Sequence, residues 1–148
     1  PFCKSFVDET FPELKEKYID TGKVKMTFRH YPLNSIHPNA QKAGEATECA
    51  NEQGKFWEYH DKLYASSPNA APKDLKFYAK DLGLKQDLFD KCMTSGKYKE
   101  AIQKDVNEGT SLGVTGTPTF FINGRELSGV QSVEAISQIV DEELGRAN

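Results

Sequence analysis

The sequence contains few cysteines, no long apolar run and no excess of charge of one sign. Its 148 residues include only three cysteines, two methionines and one tryptophan. No apolar stretch approaches the roughly 20 residues that a membrane-spanning helix needs. The 22 acidic and 19 basic residues give a net charge of −3, and neither sign clusters, which argues against nucleic acid as a partner. Without repeats or low-complexity segments, this composition predicts a globular domain with a hydrophobic core.

A structural metal site is not predicted. The three histidines are His30, His37 and His60, and no pair of cysteines or histidines has the close spacing typical of zinc ligands. His30 follows a predicted strand, where it could tune the pKa of a neighbouring group. Packing or surface exposure is the favoured interpretation for His30, and core packing is favoured for His60.

The first thirty residues predict a helix followed by a strand. Apolar residues recur at helical spacing over residues 2–19, and Pro12 should kink or split that helix. Residues 23–31 then alternate, with Val24, Met26 and Phe28 on one side, and Pro32 ends the strand.

The rest of the chain predicts a helical block and then a hairpin with a final helix. Turn signals break the block at several points, which indicates a bundle of short helices. The expected helices are residues 40–53, 55–65, 72–82, 86–94 and 98–112. Residues 119–123 and 125–127 should form a hairpin around Asn123-Gly124. Ser132 is the expected N-cap of an amphipathic helix that ends at Leu144.

The most specific motif precedes the hairpin. Residues 114–124 read Val-Thr-Gly-Thr-Pro-Thr-Phe-Phe-Ile-Asn-Gly. A lone Thr-Pro would be an ordinary loop proline, but this whole stretch resembles the cis-proline loop of thioredoxin-fold oxidoreductases. The resemblance implies that the Thr117–Pro118 bond is cis and that the loop lies against the active-site cysteines. It also implies that backbone groups of Thr117 pair with the substrate chain.

The first residues carry the second part of the same resemblance. Pro1-Phe2-Cys3 resembles the last three positions of a Cys-Pro-Phe-Cys motif at the start of a helix. In that family the first cysteine is the nucleophile and the second, here Cys3, resolves the mixed disulfide, with Pro1 and Phe2 near the substrate. We therefore expect the parent polypeptide to have a cysteine before Pro1 and a β-strand before that cysteine. Without them the given chain would lack its nucleophile and could be inactive. On its own, Cys3 would instead be a small buried hydrophobe.

The middle of the chain narrows the resemblance to one branch. Residues 46–63, with Glu-Cys-Ala and Gln-Gly-Lys-Phe-Trp, resemble the helical insertion of DsbA-like proteins, as do residues 28–33 and 89–93. The implied fold class is α/β: a thioredoxin fold, its first strand missing from the given chain, with an inserted all-helical subdomain. The thioredoxin-like domain would comprise residues 1–34 and 113–148, and the insertion residues 35–112.

Cys49 and Cys92 fall on two different predicted helices of the insertion. Two buried free thiols, a structural disulfide and a second redox pair are all compatible with the sequence. The resemblance favours a structural Cys49–Cys92 disulfide, because related proteins that carry cysteines here often pair them.

The sequence leaves three functions open. The first is a thiol–disulfide oxidoreductase that acts on cysteine-containing proteins, needs no metal or organic cofactor and is reset by a redox partner, which for an oxidase would be a membrane protein. The family implies an extracytoplasmic location for it. The second is a non-catalytic peptide-binding or chaperone module with the same fold. The third is a glutathione-conjugating relative, against which Cys3 argues. The residue before Pro1 distinguishes the three.

Overall fold

The structure, a computed structural model, describes residues 1–147 as two compact units. One unit comprises residues 1–28 and 113–147, and the other comprises Arg29–Leu112. Within residues 1–147, no helix combines the length and the apolar character needed to cross a bilayer.

The predicted N-terminal helix is present but changes its winding twice. It consists of α1 (Phe2–Ser5), a π-helical segment (Phe6–Thr10), α2 (Phe11–Leu14) and a second π-helical segment (Lys15–Ile19). Pro12 stands in the first turn of α2, directly after the first π-helical segment. Proline cannot donate a backbone hydrogen bond, so a change of helical register just before it is a natural accommodation. The helix continues through Pro12 from Phe2 to Ile19, so it does not split there, and a change of winding is what the structure shows before the proline.

The predicted strand at residues 23–31 is wrong as a strand, although its alternation is right. Val24, Met26 and Phe28 are half-buried, and the residues between them are exposed. A strand also needs a neighbour that completes its backbone ladder. In the described part of the chain, the sheet contains only β1 (Thr119–Ile122) and β2 (Arg125–Ser128), which pair with each other. Residues 24–31 are therefore not part of a ladder, although their burial alternates as far as Arg29.

The C-terminal hairpin and helix follow the prediction closely. Strands β1 and β2 are antiparallel, with Phe120 opposite Leu127. The turn between them uses Asn123 and Gly124 at positive φ, 48° and 85°, as the Asn-Gly pair predicts. The final helix of this unit runs over Val133–Arg146. It packs through Ile136 and Val140 against the N-terminal helix, whose buried residues there are Phe6, Leu14 and Tyr18.

The N-cap of this final helix is the serine that the sequence predicts. The Ser132 hydroxyl accepts a hydrogen bond from the backbone N–H of Ala135 at 3.2 Å. Replacing Ser132 by alanine should lower the free energy of unfolding by about 1 kcal/mol, because that helix loses its capping acceptor. Chemical denaturation would measure the loss. Ser132→Asp keeps a capping oxygen and should be nearly neutral; equal losses in both variants would contradict the capping role.

The second unit is a bundle of five helices. They are α3 (Ala40–Asn51), α4 (Phe56–Ala65), α5 (Pro72–Asp81), α6 (Gln86–Ser95) and α7 (Lys99–Ser111), each within two residues of its predicted bounds. Tyr59 and Phe89 are fully buried in the core of this unit, which we call the helical unit. The Tyr59 hydroxyl donates to the Leu75 carbonyl oxygen at 2.8 Å, which satisfies its buried polar atom. The C-terminal helix Val133–Arg146 is α8.

The boundary between the units differs from the predicted one. The resemblance places residues 29–34 in the thioredoxin-like domain, whereas the structure groups them with the helical unit. The side chain of Asp105 on α7 explains this: one oxygen accepts from the His30 backbone N–H at 2.9 Å, and the other lies 3.2 Å from Arg29 Nη1. Such a bond between residues far apart in sequence leaves no local pattern.

Candidate active site

Cys3 has a free thiol in the first turn of α1. Its side chain is half-buried, and Pro1 stands at the N-cap position. The Pro1 carbonyl oxygen accepts from the Ser5 N–H at 2.9 Å, so the helical turn that carries Cys3 is closed. Phe2 beside it is 64% exposed. The start of α1 therefore presents a thiol next to an exposed aromatic ring.

Phe6 anchors this part of the helix, one turn beyond Cys3. It is buried, and its ring centroid lies 4.6 Å from that of Phe120 and 5.9 Å from that of Phe11. Phe120 is in β1, two residues after Pro118. The helix that carries Cys3 and the strand that follows Pro118 thus share one aromatic contact. No pattern in the sequence indicates that these two rings meet.

The loop before β1 is held by its own hydrogen bonds. The Thr117–Pro118 peptide bond is cis, Pro118 is buried and Thr117 is half-buried. The Pro118 carbonyl oxygen accepts from the Gly129 N–H at 2.8 Å, which joins the loop to the end of the hairpin. The Thr119 hydroxyl donates to the Gly116 carbonyl oxygen at 2.8 Å. These two bonds fix the backbone on both sides of Pro118. A second cis bond, Ser67–Pro68, was not predicted.

Cys49 and Cys92 lie in the helical unit, where a disulfide joins them. The bond connects α3 to α6 and closes a separation of 43 residues. Both side chains are buried in the core of that unit. Two of the three cysteines are therefore paired with each other, and Cys3 is the free one.

His30 has a structural environment within the helical unit. It is buried, and its Nε2 lies 2.8 Å from Glu48 Oε1. That hydrogen bond lowers the pKa of Glu48 below its ordinary value. The arrangement supports the packing interpretation of His30. The sequence did not indicate Glu48 as its partner, because His30 lies before the first helix of the unit and Glu48 lies on α3, 18 positions further along the chain.

His60 is buried among the aromatic side chains of α4. Its ring lies 4.8 Å from that of Tyr64 and 5.3 Å from that of Trp57, and Nδ1 is 2.9 Å from Asp61 Oδ1. Burial disfavours the charged imidazolium and lowers the pKa of His60 below 6.5, although Asp61 opposes the shift. His60 therefore prefers to remain neutral in the folded protein, as its core position predicts.

This shift makes stability depend on pH. As the pH falls below 6.5, the unfolded chain binds a proton at His60 before the folded chain does. The contribution of His60 to the free energy of unfolding should be present above pH 6.5 and lost as the pH falls through the lower folded pKa. Denaturation at a series of pH values would measure this slope. It should flatten in His60→Gln and persist in His37→Gln, since His37 is exposed. An unchanged slope in His60→Gln would contradict the assignment.

The chain matches one family model and is similar to several proteins of known name. A family model described as Thioredoxin matches residues 1–142. The crystal structure of alpha-DsbA1 from Wolbachia pipientis superposes with a TM-score of 0.86 at 30% identity, over 99% of this chain and 81% of that one. A probable disulfide bond formation protein D from Bacillus anthracis is 27% identical over 97% of this chain and 69% of its own length.

The chain is also similar to part of a protein of another kind, an antiporter. The Na(+)/H(+) antiporter NhaA 3 of Salinispora tropica is 40% identical over 95% of this chain. The chain spans about a fifth of the length of the antiporters that it matches (21% for this one).

The helix that carries Cys3, the Pro118 loop and the helical insertion define a protein with the thioredoxin fold. The chain belongs to the thioredoxin family, and within it to the DsbA-like proteins. The fold class expected from the sequence, a thioredoxin fold with a helical insertion, is confirmed.

Proposed function

We propose that this chain exchanges disulfides with cysteine-containing proteins, and that Cys3 is the resolving cysteine of a Cys-Pro-Phe-Cys motif. The observation that carries the proposal is the free, half-buried thiol of Cys3 at the start of α1, in a chain of the DsbA-like family. A thiol in this position can attack a mixed disulfide formed by a cysteine directly before Pro1. The helix N-terminus would stabilise the thiolate of that preceding cysteine through its dipole and its free N–H groups.

The proposed reaction has two exchanges. The thiolate before Pro1 attacks one sulfur of a substrate disulfide, and the other substrate sulfur leaves as a thiolate. The Cys3 thiolate then attacks the mixed disulfide, which forms the enzyme disulfide and releases the second substrate thiolate. The same steps in reverse oxidise a substrate dithiol. No metal or organic cofactor takes part, and a redox partner must restore the starting state of the cysteine pair.

The substrate would bind beside the thiol. Phe2 offers an exposed apolar ring, and Pro1 lies directly before it in the chain. The Thr117–Pro118 loop, whose backbone is held at both sides, would offer backbone groups of Thr117 to an extended substrate segment. We also propose an extracytoplasmic location. The Cys49–Cys92 disulfide supports it, since disulfides persist mainly in oxidising compartments.

The test begins with the coding sequence upstream of Pro1. A cysteine there, together with insulin reduction and dithiol oxidation by the full-length protein, would support the proposal. Its reduction potential would then indicate whether it works as an oxidase or a reductase. Another residue there and no exchange activity would contradict the proposal and favour a non-catalytic peptide-binding module.

A further inference from the structure

An open pocket in the helical unit is lined in part by one of the two disulfide cysteines. The pocket has a volume of about 330 Å³, and Cys92 is among the residues that line it. A space of this size suits a small molecule. It is lined mainly by residues of α6, including Leu88, whose side chain gives one wall an apolar surface. One cysteine of the disulfide, Cys92, therefore lines a space large enough for a small molecule.

The two cysteines of the disulfide differ in their access to this pocket. Cys92 lines it and is 5% exposed, whereas Cys49 is 1% exposed and lies deeper in the core. Exchange begins when a thiolate attacks one sulfur along the S–S bond, and access decides which sulfur is attacked. Attack from the pocket would therefore occur at Cys92, and Cys49 would be the leaving thiolate.

The charges around the pocket favour an anion. Lys91 and Lys97 both line it, against the single carboxylate of Glu52. Glu52 pairs with Lys97 Nζ and accepts from the Tyr98 hydroxyl at 2.6 Å, so these two charges offset each other and the net positive charge of the lining is that of Lys91. The lysines are exposed, so a small anion can approach them from solvent. A positively charged recess raises the local concentration of anions.

We propose that this pocket admits low-molecular-weight thiols that carry a negative charge, and that they attack the Cys49–Cys92 disulfide at Cys92. In the first step the small thiolate bonds to the Cys92 sulfur, the S–S bond breaks and Cys49 leaves as a thiolate. A second small thiolate then attacks the sulfur of the bound small molecule, which releases a small-molecule disulfide and the Cys92 thiolate. Two thiols are oxidised and one protein disulfide is reduced.

The test uses the full chain with Cys3 blocked beforehand by N-ethylmaleimide, so that only the disulfide can react. Three probes of similar size are compared under native conditions: 2-mercaptoethanesulfonate (anionic), 2-mercaptoethanol (neutral) and cysteamine (cationic). Per thiolate, the anionic probe should react about tenfold faster than the cationic one. This difference should shrink as salt is added, because exposed charges are screened. Acid quenching and peptide mass spectrometry should find the first adduct on Cys92.

A charge-reversed variant isolates the role of the pocket. Lys91→Glu should slow the anionic probe and speed the cationic one, which narrows or inverts their ratio. The matched control is Lys73→Glu, an exposed lysine of α5 outside the pocket lining, which changes net charge equally and should leave the ratio unaltered. Three results would overturn the proposal: adducts on Cys49, the same rate per thiolate for all probes, or a disulfide that reacts only in denaturant. Because Cys3 is blocked, none of them bears on the proposed exchange at Cys3.

Discussion

Replacing Cys3 by serine is expected to lower the rate of disulfide exchange by the full-length protein by about 100-fold or more. Without the Cys3 thiol, the mixed disulfide with the substrate can be resolved only by an external thiol. An intramolecular thiol acts at an effective concentration far above the millimolar thiol of an assay, which is the physical reason for so large a loss. Turnover of insulin under reducing conditions would measure it, and nonreducing electrophoresis should show the mixed disulfide accumulating.

Ser5→Ala is the matched control for this experiment. Ser5 lies two residues beyond Cys3 in α1, and its hydroxyl donates to Glu9 at 3.0 Å on an exposed surface. It should retain the rate of the unmodified protein. Both variants should unfold at the same denaturant concentration as that protein, so that a loss of rate is not a loss of folding. Full activity in Cys3→Ser would show that another group resolves the intermediate, or that exchange does not pass through one.

Removing the disulfide is expected to have the largest effect on stability. In the chain-entropy account, closing a loop over a separation of 43 residues stabilises the folded state by about 4 kcal/mol. The double variant Cys49→Ala with Cys92→Ala should lose about that much free energy of unfolding. Urea denaturation followed by fluorescence would measure it, because the single tryptophan of the chain, Trp57, lies on α4 of the helical unit.

Reduction of the unmodified protein provides an independent control. Exhaustive reduction before denaturation should lower the stability to nearly the level of the double alanine variant. Cys3→Ser, which leaves the disulfide intact, should unfold like the unmodified protein. A loss below about 1 kcal/mol in the double variant would contradict the expectation, and would mean that helix packing keeps α3 and α6 together without the cross-link.

The helices of this protein could be predicted because their signals are local. Ser132 is followed by apolar residues at helical spacing, and its hydroxyl caps α8 as that pattern predicts. Pro12, which has no N–H to donate, lies in the first turn of α2, just after the N-terminal helix changes its winding. Asn123-Gly124 forms the hairpin turn because these residues adopt positive φ readily. Each signal lies within a few residues of the structure that it specifies.

The site could be predicted in part, through its motifs. The Gly-Thr-Pro-Thr stretch and Pro1-Phe2-Cys3 indicated the family, and the family comparison confirms it. The contact between Phe6 and Phe120, which links the elements that carry Cys3 and Pro118, could not be predicted. Phe6 and Phe120 are 114 positions apart in the sequence, and no local pattern indicates which aromatic rings of the core will meet.

The positions of the helices, the hairpin turn, the alternation at Val24, Met26 and Phe28, and the family of the chain could all be predicted from the amino-acid sequence alone. Those features depend on backbone preferences and on the spacing of apolar residues, which act over a few positions. Which segments meet depends on the tertiary structure: residues 24–31 belong to no ladder, Asp105 holds His30 in the helical unit, and a pocket opens beside Cys92. Backbone pairing, buried ion partners and pockets arise from segments that meet only after the chain has folded.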